Sequence, residues 1–206
     1  MHISEGVLSP GVLIAGAALT AAGVAVGLRK LENEEIPSMG ILSAAFFVAS
    51  LVHVPAGPAS VHLVLNGLLG LILGWKAFPA ILVALGLQAL LFQFGGLTSL
   101  GVNTLNMAFP AVACRYLFGW GVRIRAKPSV FVISAFACGS FAILLSGVMV
   151  GFCLYLTGEA FLPAAKLVVA AHIPVMIIEG VLTTACALFL RRVKQELLEG
   201  QYVPKS

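Results

Sequence analysis

Apolar residues run through this chain in long blocks, and polar residues are confined to short stretches between them. A helix needs about 17 to 25 largely apolar residues to cross a bilayer. Blocks at 10–28, 39–54, 59–75, 78–93, 103–120, 130–156 and 167–190 approach or exceed that length, which predicts seven transmembrane helices. Ser9-Pro10 starts the first, because proline's fixed φ and missing N–H suit the first helical turn. The interruptions have loop chemistry: 29–38 carries Glu32, Glu34 and Glu35, Pro55-Ala56-Gly57-Pro58 is a turn, and 93–101 is rich in glycine. The expectation is one all-α membrane domain over residues 1–206.

Composition narrows the class. With 60% hydrophobic and 10% charged residues and a mean hydropathy of +1.07, there is too little charge to cover a soluble globule. A polytopic protein of the cell membrane remains. The net charge of +4 would suit an anionic partner, but position explains it better, and nothing calls for nucleic acid. Arg29, Lys30, Lys76, Arg115, Arg123, Arg125, Lys127, Arg191, Arg192, Lys194 and Lys205 fall on one side of the predicted helices, and Lys166 alone on the other. Cytoplasmic loops collect Lys and Arg, so the C-terminus is expected in the cytoplasm and the N-terminus outside. Cys114, Cys138, Cys153 and Cys186 form no Cys-x-x-Cys pair and lie mostly in apolar blocks, which reads as reduced, buried thiols. No Lys or Arg precedes the first block, so it does not read as a secretory signal. Met1 is expected to be retained, with bulky His2 discouraging its removal.

The opening Met1-His2 then carries chemistry. An α-amine, the following backbone amide and the His2 imidazole can close on one metal ion as adjacent chelate rings, three nitrogens from two residues. A planar or tetragonal nitrogen set points to Ni(II) or Cu(II), with Co(II) a neighbour in affinity. One more nitrogen completes a four-donor site. The chain has four histidines, His2, His53, His62 and His172, and the predicted topology puts all of them in the outer half of the membrane. A lone histidine there reads as an interfacial side chain satisfied by a carbonyl; four beside a terminal amine favour an external metal site. Any of the last three is open as the fourth donor.

His172 and Glu179 stand seven residues apart, on one face of the last predicted helix. Glu179 is the one acid expected within the hydrocarbon, where an unpaired carboxylate is costly. It reads either as a charge drawing a cation inward or as a structural partner for Asn66, Gln88, Thr183 or a bound water. Small residues recur at four-residue spacing in Gly23 and Gly27, Ala45 and Ala49, and Gly70 and Gly74, which lets helices approach closely within the chain or against another subunit. No P-loop is present, so the chain is not read as an ATPase. Two rivals are an intramembrane metal-dependent enzyme using His172 and Glu179, and a stand-alone secondary transporter. Against the first, no His-Glu-x-x-His motif occurs; against the second, no convincing internal repeat is visible.

The assembled pieces resemble the CbiM/NikM-type substrate-binding component of energy-coupling factor importers for cobalt and nickel. They are Met1-His2-Ile3-Ser4-Glu5-Gly6-Val7-Leu8-Ser9-Pro10, the turn and histidine from Pro55 to His62, Gln88-Ala89-Leu90-Leu91-Phe92 with Gly95-Gly96, Gly101-Val102-Asn103-Thr104-Leu105-Asn106-Met107, and His172-Ile173-Pro174 through Glu179-Gly180 with Thr183. They cover the chain from end to end. The chain departs at Gln93-Phe94, where the family often has an acid before the paired glycines, and at His53, where it often has Asn. The resemblance implies a six-helix core with an added N-terminal helix whose outer end tucks into the site. It also implies Met1, His2 and His62 as the Co(II) or Ni(II) ligands, with His53, Asn103, His172 and Glu179 as candidates around them. Docking through Ala45 and Ala49 onto a transmembrane coupling subunit, two separate cytoplasmic ATPase subunits, and a small accessory membrane subunit are implied as well. Cobalamin synthesis is one use of the metal consistent with this. The metal is cargo, so no permanent cofactor and no catalysis are expected.

Overall fold

The computed structural model describes residues 2–51, 53–56 and 59–199, with the backbone alone at 53–56, 59–62 and 199. Seven helices carry the fold: α1 Pro10–Arg29, α2 Ile36–Ala49, α3 Asn66–Leu73, α4 Ala77–Phe92, α5 Leu100–Phe118, α6 Pro128–Thr157 and α7 Leu162–Val193. A short α8, Gln195–Glu199, follows. Among the described residues, four stretches are long and apolar enough to cross a membrane by length and composition: Pro10–Arg29, Asn66–Phe92, which takes in both α3 and α4, Pro128–Thr157 and Glu159–Val193. Side chains such as Ile14, Ile41, Ile133 and Phe189 are left largely exposed, as lipid-facing positions of a membrane bundle should be.

The structure departs from two predicted boundaries. The second and third predicted helices, 39–54 and 59–75, overrun a two-stranded antiparallel hairpin, β1 His53–Ala56 and β2 Ala59–His62. The cause is local: Pro55 lacks an amide hydrogen and β-branched Val54 and Val61 favour extended backbone. What remains of the third is α3, only eight residues and about 12 Å long. Too short to span a bilayer, it lies at the centre with every residue buried.

Close helix contacts fix the bundle. A Cβ on Gly70 of α3 would sit 1.9 Å from the Ala111 carbonyl oxygen of α5, and one on Gly67 would sit 2.9 Å from the Cys138 carbonyl oxygen of α6. α1 buries a stripe of Gly16, Thr20, Gly23 and Gly27, with Gly16 on Val102, Gly23 on Phe78 and Gly27 on Trp75 and Pro79. The glycine pairs of α1 and α3 are thus used for internal packing. On α2, by contrast, Ala45 is exposed and Ala49 half-buried.

The helices alternate in direction, which separates two ends. Arg29 ends α1, Lys76 pairs with Glu35, and Arg191 of α7 donates to the carbonyls of Ile124 (2.7 Å) and Ala126 (2.8 Å) before α6. These contacts gather one basic end; Lys205 lies outside the described residues. The other end holds His2, the hairpin, the loop 93–99 and the start of α7.

Candidate metal site

The N-terminal segment is held by side chains that act as a neighbouring strand would. The Ile3 N–H donates to Asn103 Oδ1 at 2.8 Å, and Asn103 Nδ2 donates back to the Ile3 carbonyl at 3.1 Å. That carbonyl also accepts from Ser99 Oγ at 2.8 Å, and Asn103 Nδ2 lies 3.1 Å from Ser99 Oγ. With both groups of Ile3 satisfied, its backbone can be buried without orphaned polar atoms. Ile3 is fully buried and His2 is 4% exposed. Ser99 and Asn103 stand one helical turn apart at the start of α5, so both reach the same backbone unit.

The loop between α4 and α5 closes over this segment. Gly95 has φ +77°, and a Cβ there would meet Asn103 Nδ2 at 2.7 Å and His2 Cβ at 3.4 Å. At Gly96, with φ +110°, a Cβ would lie 1.9 Å from Glu5 Cγ. Only glycine combines that backbone with that proximity. Glu5 Oε1 accepts from the Thr98 N–H at 3.0 Å, and this bond holds the exposed Glu5 carboxyl below its usual range. Phe94 sets its ring 6.2 Å from the His2 imidazole, and Phe92 and Phe47 continue the aromatic row at 5.6 and 6.0 Å.

The hairpin brings His53 and His62 opposite one another in register. Immediately beyond β2, Glu179 reaches across from α7. One carboxylate oxygen accepts from the Val64 N–H, and both lie 3.0 Å from the Leu65 N. Leu65 has φ +54°, a left-handed conformation costly for leucine. Glu179 is fully buried, and it supplies acceptors where strand ends and helix has yet to begin. Its partners are backbone amides, and Asn66, Gln88 and Thr183 are not among them. Asn66 instead donates to the Met107 carbonyl (3.1 Å) and Ser146 Oγ (3.0 Å), and Gln88 donates to the Phe47 carbonyl and Ser50 Oγ.

His172 is 1% exposed, with Nδ1 2.6 Å from the Val168 carbonyl oxygen. A carbonyl only accepts, so the proton is on Nδ1. Nδ1 is thus satisfied by a carbonyl, while Nε2 is buried with no hydrogen-bond partner among the described residues. Its ring packs where Gly147 of α6 leaves room.

Of the sequence-nominated residues, His2 and Asn103 come together beside Gly95. His53 and His62 are register partners on the hairpin, Glu179 fixes the backbone just after them, and Ala45 and Ala49 lie apart on α2. Met1 is outside the described residues. Among the described residues no three His, Cys, Asp or Glu side chains converge as a metal cluster; the nominated set draws on backbone nitrogens, on the His2 imidazole and on His62, whose side chain lies outside the description. Sequence reasoning missed Ser99 and Thr98. The Ser99/Asn103 spacing at a helix start was the available signal.

A family model described as the cobalt uptake substrate-specific transmembrane region matches residues 2–197. A protein of Haemophilus influenzae named for metal transport is 43% identical over 203 residues, covering 96% of this chain and 97% of its own. A fused nickel transport protein, NikMN, of Rhodobacter capsulatus is 31% identical, covering all of this chain and 66% of its own. A crystal structure of a transition metal transporter superposes with a TM-score of 0.77 at 28% identity, over 97% of this chain and 96% of the other. Metal transport recurs through these names, and the chain, which meets the family model over residues 2–197, belongs to the CbiM family of cobalt and nickel transport membrane components.

Proposed function

We propose that this chain captures Co(II) or Ni(II) from outside the cell for an ATP-driven energy-coupling factor importer. The ligands are the Met1 amine, the His2 amide and imidazole, and the His62 imidazole. The observation that carries this reading is the Ile3–Asn103 clamp: it buries the second and third residues of the chain, so that a chelate built on the terminus belongs to a folded site. The hairpin bearing His62 lies at the same end of the bundle, its base tied down by Glu179.

Electronic preference follows from the donors. A deprotonated amide nitrogen is a strong-field ligand available only to a metal that offsets the cost of removing its proton, which favours Ni(II) and disfavours Mg(II). Binding should release protons and weaken as pH falls through the histidine and amine titrations. Favouring a transport role over catalysis, Glu179 is used structurally, its oxygens accepting from the Val64 and Leu65 amides. ATP hydrolysis belongs to separate cytoplasmic subunits, linked by a transmembrane coupling subunit docked on Ala45 and Ala49.

The test is the spectrum of Ni(II) bound to the purified chain. A diamagnetic, low-spin planar ion is expected. An octahedral paramagnetic spectrum, or equal affinity for Mg(II), would rule the four-nitrogen set out.

A further inference from the structure

At the basic end, opposite the proposed metal site, a cavity of about 510 Å³ opens between the ends of α3 and α5 and the last turn of α8. Arg115, Arg123, Tyr116, Trp120, Leu71 and Leu198 line it, and none of its described lining residues is acidic. Arg115 is built into its wall. A Cβ on Gly74 (φ +55°) would lie 3.1 Å from Arg115 Cδ, so the missing side chain gives the arginine room. The guanidinium donates to the Leu71 carbonyl at the end of α3. That bond occupies one of its five N–H donors. Two guanidinium groups facing one cavity repel each other, and an anion between them turns that repulsion into charge-assisted hydrogen bonds.

The rim indicates the source of the anion. Tyr116 and Trp120 are 66% and 63% exposed, yet each has its polar atom satisfied: Trp75 Nε1 donates to Tyr116 Oη at 3.0 Å, and Trp120 Nε1 donates to the Leu117 carbonyl at 2.9 Å. Tyr and Trp rings are enriched at the membrane–water interface. A cavity at that level meets lipid headgroups before it meets solutes, and the basic side faces the leaflet that carries anionic lipids.

We propose that this cavity binds the phosphate headgroup of an anionic phospholipid, held between Arg115 and Arg123. The site is separate from the metal chelate and does not depend on its ligands.

The test uses the full-length chain, with lipid binding followed by native mass spectrometry. Phosphatidylglycerol and phosphatidylcholine are the probes, and inorganic phosphate is the competitor. Arg115 also holds the Leu71 carbonyl, so loss there would not separate binding from folding; exposed Arg123 carries the test. Arg192→Gln, at the same end but outside the cavity, is the control. Any basic side chain near an anionic surface contributes roughly fivefold. Arg123→Gln should therefore lower phosphatidylglycerol affinity by well over that, about tenfold to a hundredfold, with phosphatidylcholine bound weakly by both forms and metal binding unchanged. Equal losses for Arg123→Gln and Arg192→Gln would overturn the proposal, since only diffuse charge would be at work. Displacement of the lipid by millimolar inorganic phosphate would also overturn it, by assigning the cavity to a soluble anion.

Discussion

Asn103 and Glu179 do related work, each giving an irregular piece of backbone the partners that a helix or sheet would otherwise supply. Asn103 needs both ends of its amide: Oδ1 accepts from Ile3 and Nδ2 donates to it. Asn103→Leu should keep the seven helices but release the terminal segment. A fall of about 10- to 100-fold in Ni(II) affinity is expected, the range found when a supporting contact behind a metal ligand is lost; titration calorimetry beside circular dichroism checks it. Glu179→Ala orphans the Val64 and Leu65 amides at about 1–3 kcal/mol each, partly offset by removing a buried carboxylate. Thermal unfolding in detergent should therefore drop, with Glu179→Gln intermediate because its amide keeps one acceptor oxygen. The pH sign at Glu5 is the ordinary carboxylate one. Its folded pKa is depressed by the Thr98 amide, so the tie is present above the unfolded value and is lost as pH falls through the folded one. His2 and Asn103 were legible in the sequence, one by chelate chemistry and the other by resemblance. The partners of Glu179 were not, because residue spacing reports side chains on one helix face and says nothing of an amide more than a hundred residues away.

Among the elements, the long helices were legible because apolar length alone defines a span. The hairpin was not, since its residues are as apolar as those of a helix and only Pro55 and Pro58 argue against one. The small-residue pairs, identical as patterns, divide once packed. Gly70 touches the Ala111 carbonyl, whereas Ala45 faces outward. Gly70→Leu should fail to fold or lose most of its stability, since backbone rather than a flexible side chain stands in the way. Ala45→Trp should leave both unfolding temperature and metal affinity near the native values and weaken assembly with the coupling subunit, as co-purification would read. Loss of metal binding together with assembly would instead make Ala45 an internal packing residue.

The whole molecule is polarised. One end gathers the described arginines and lysines other than Lys166, together with Tyr116 and Trp120, and the other gathers the buried His2-Ile3 segment, the glycine loop and the histidine hairpin. Such a division suits a protein that takes a cation at one face and couples at the other, and the charge asymmetry was readable without coordinates. The central claim, that the terminal amine is itself a ligand, is tested most directly by adding one residue before Met1 and measuring Ni(II) affinity. The addition moves the amine out of the chelate while His2 keeps its side chain and Ile3 keeps Asn103. Binding should be abolished by the extension, or by N-acetylation, and left intact by a tag of the same kind at the C-terminus. An N-terminally extended chain that binds Ni(II) as tightly as the native one would contradict the account.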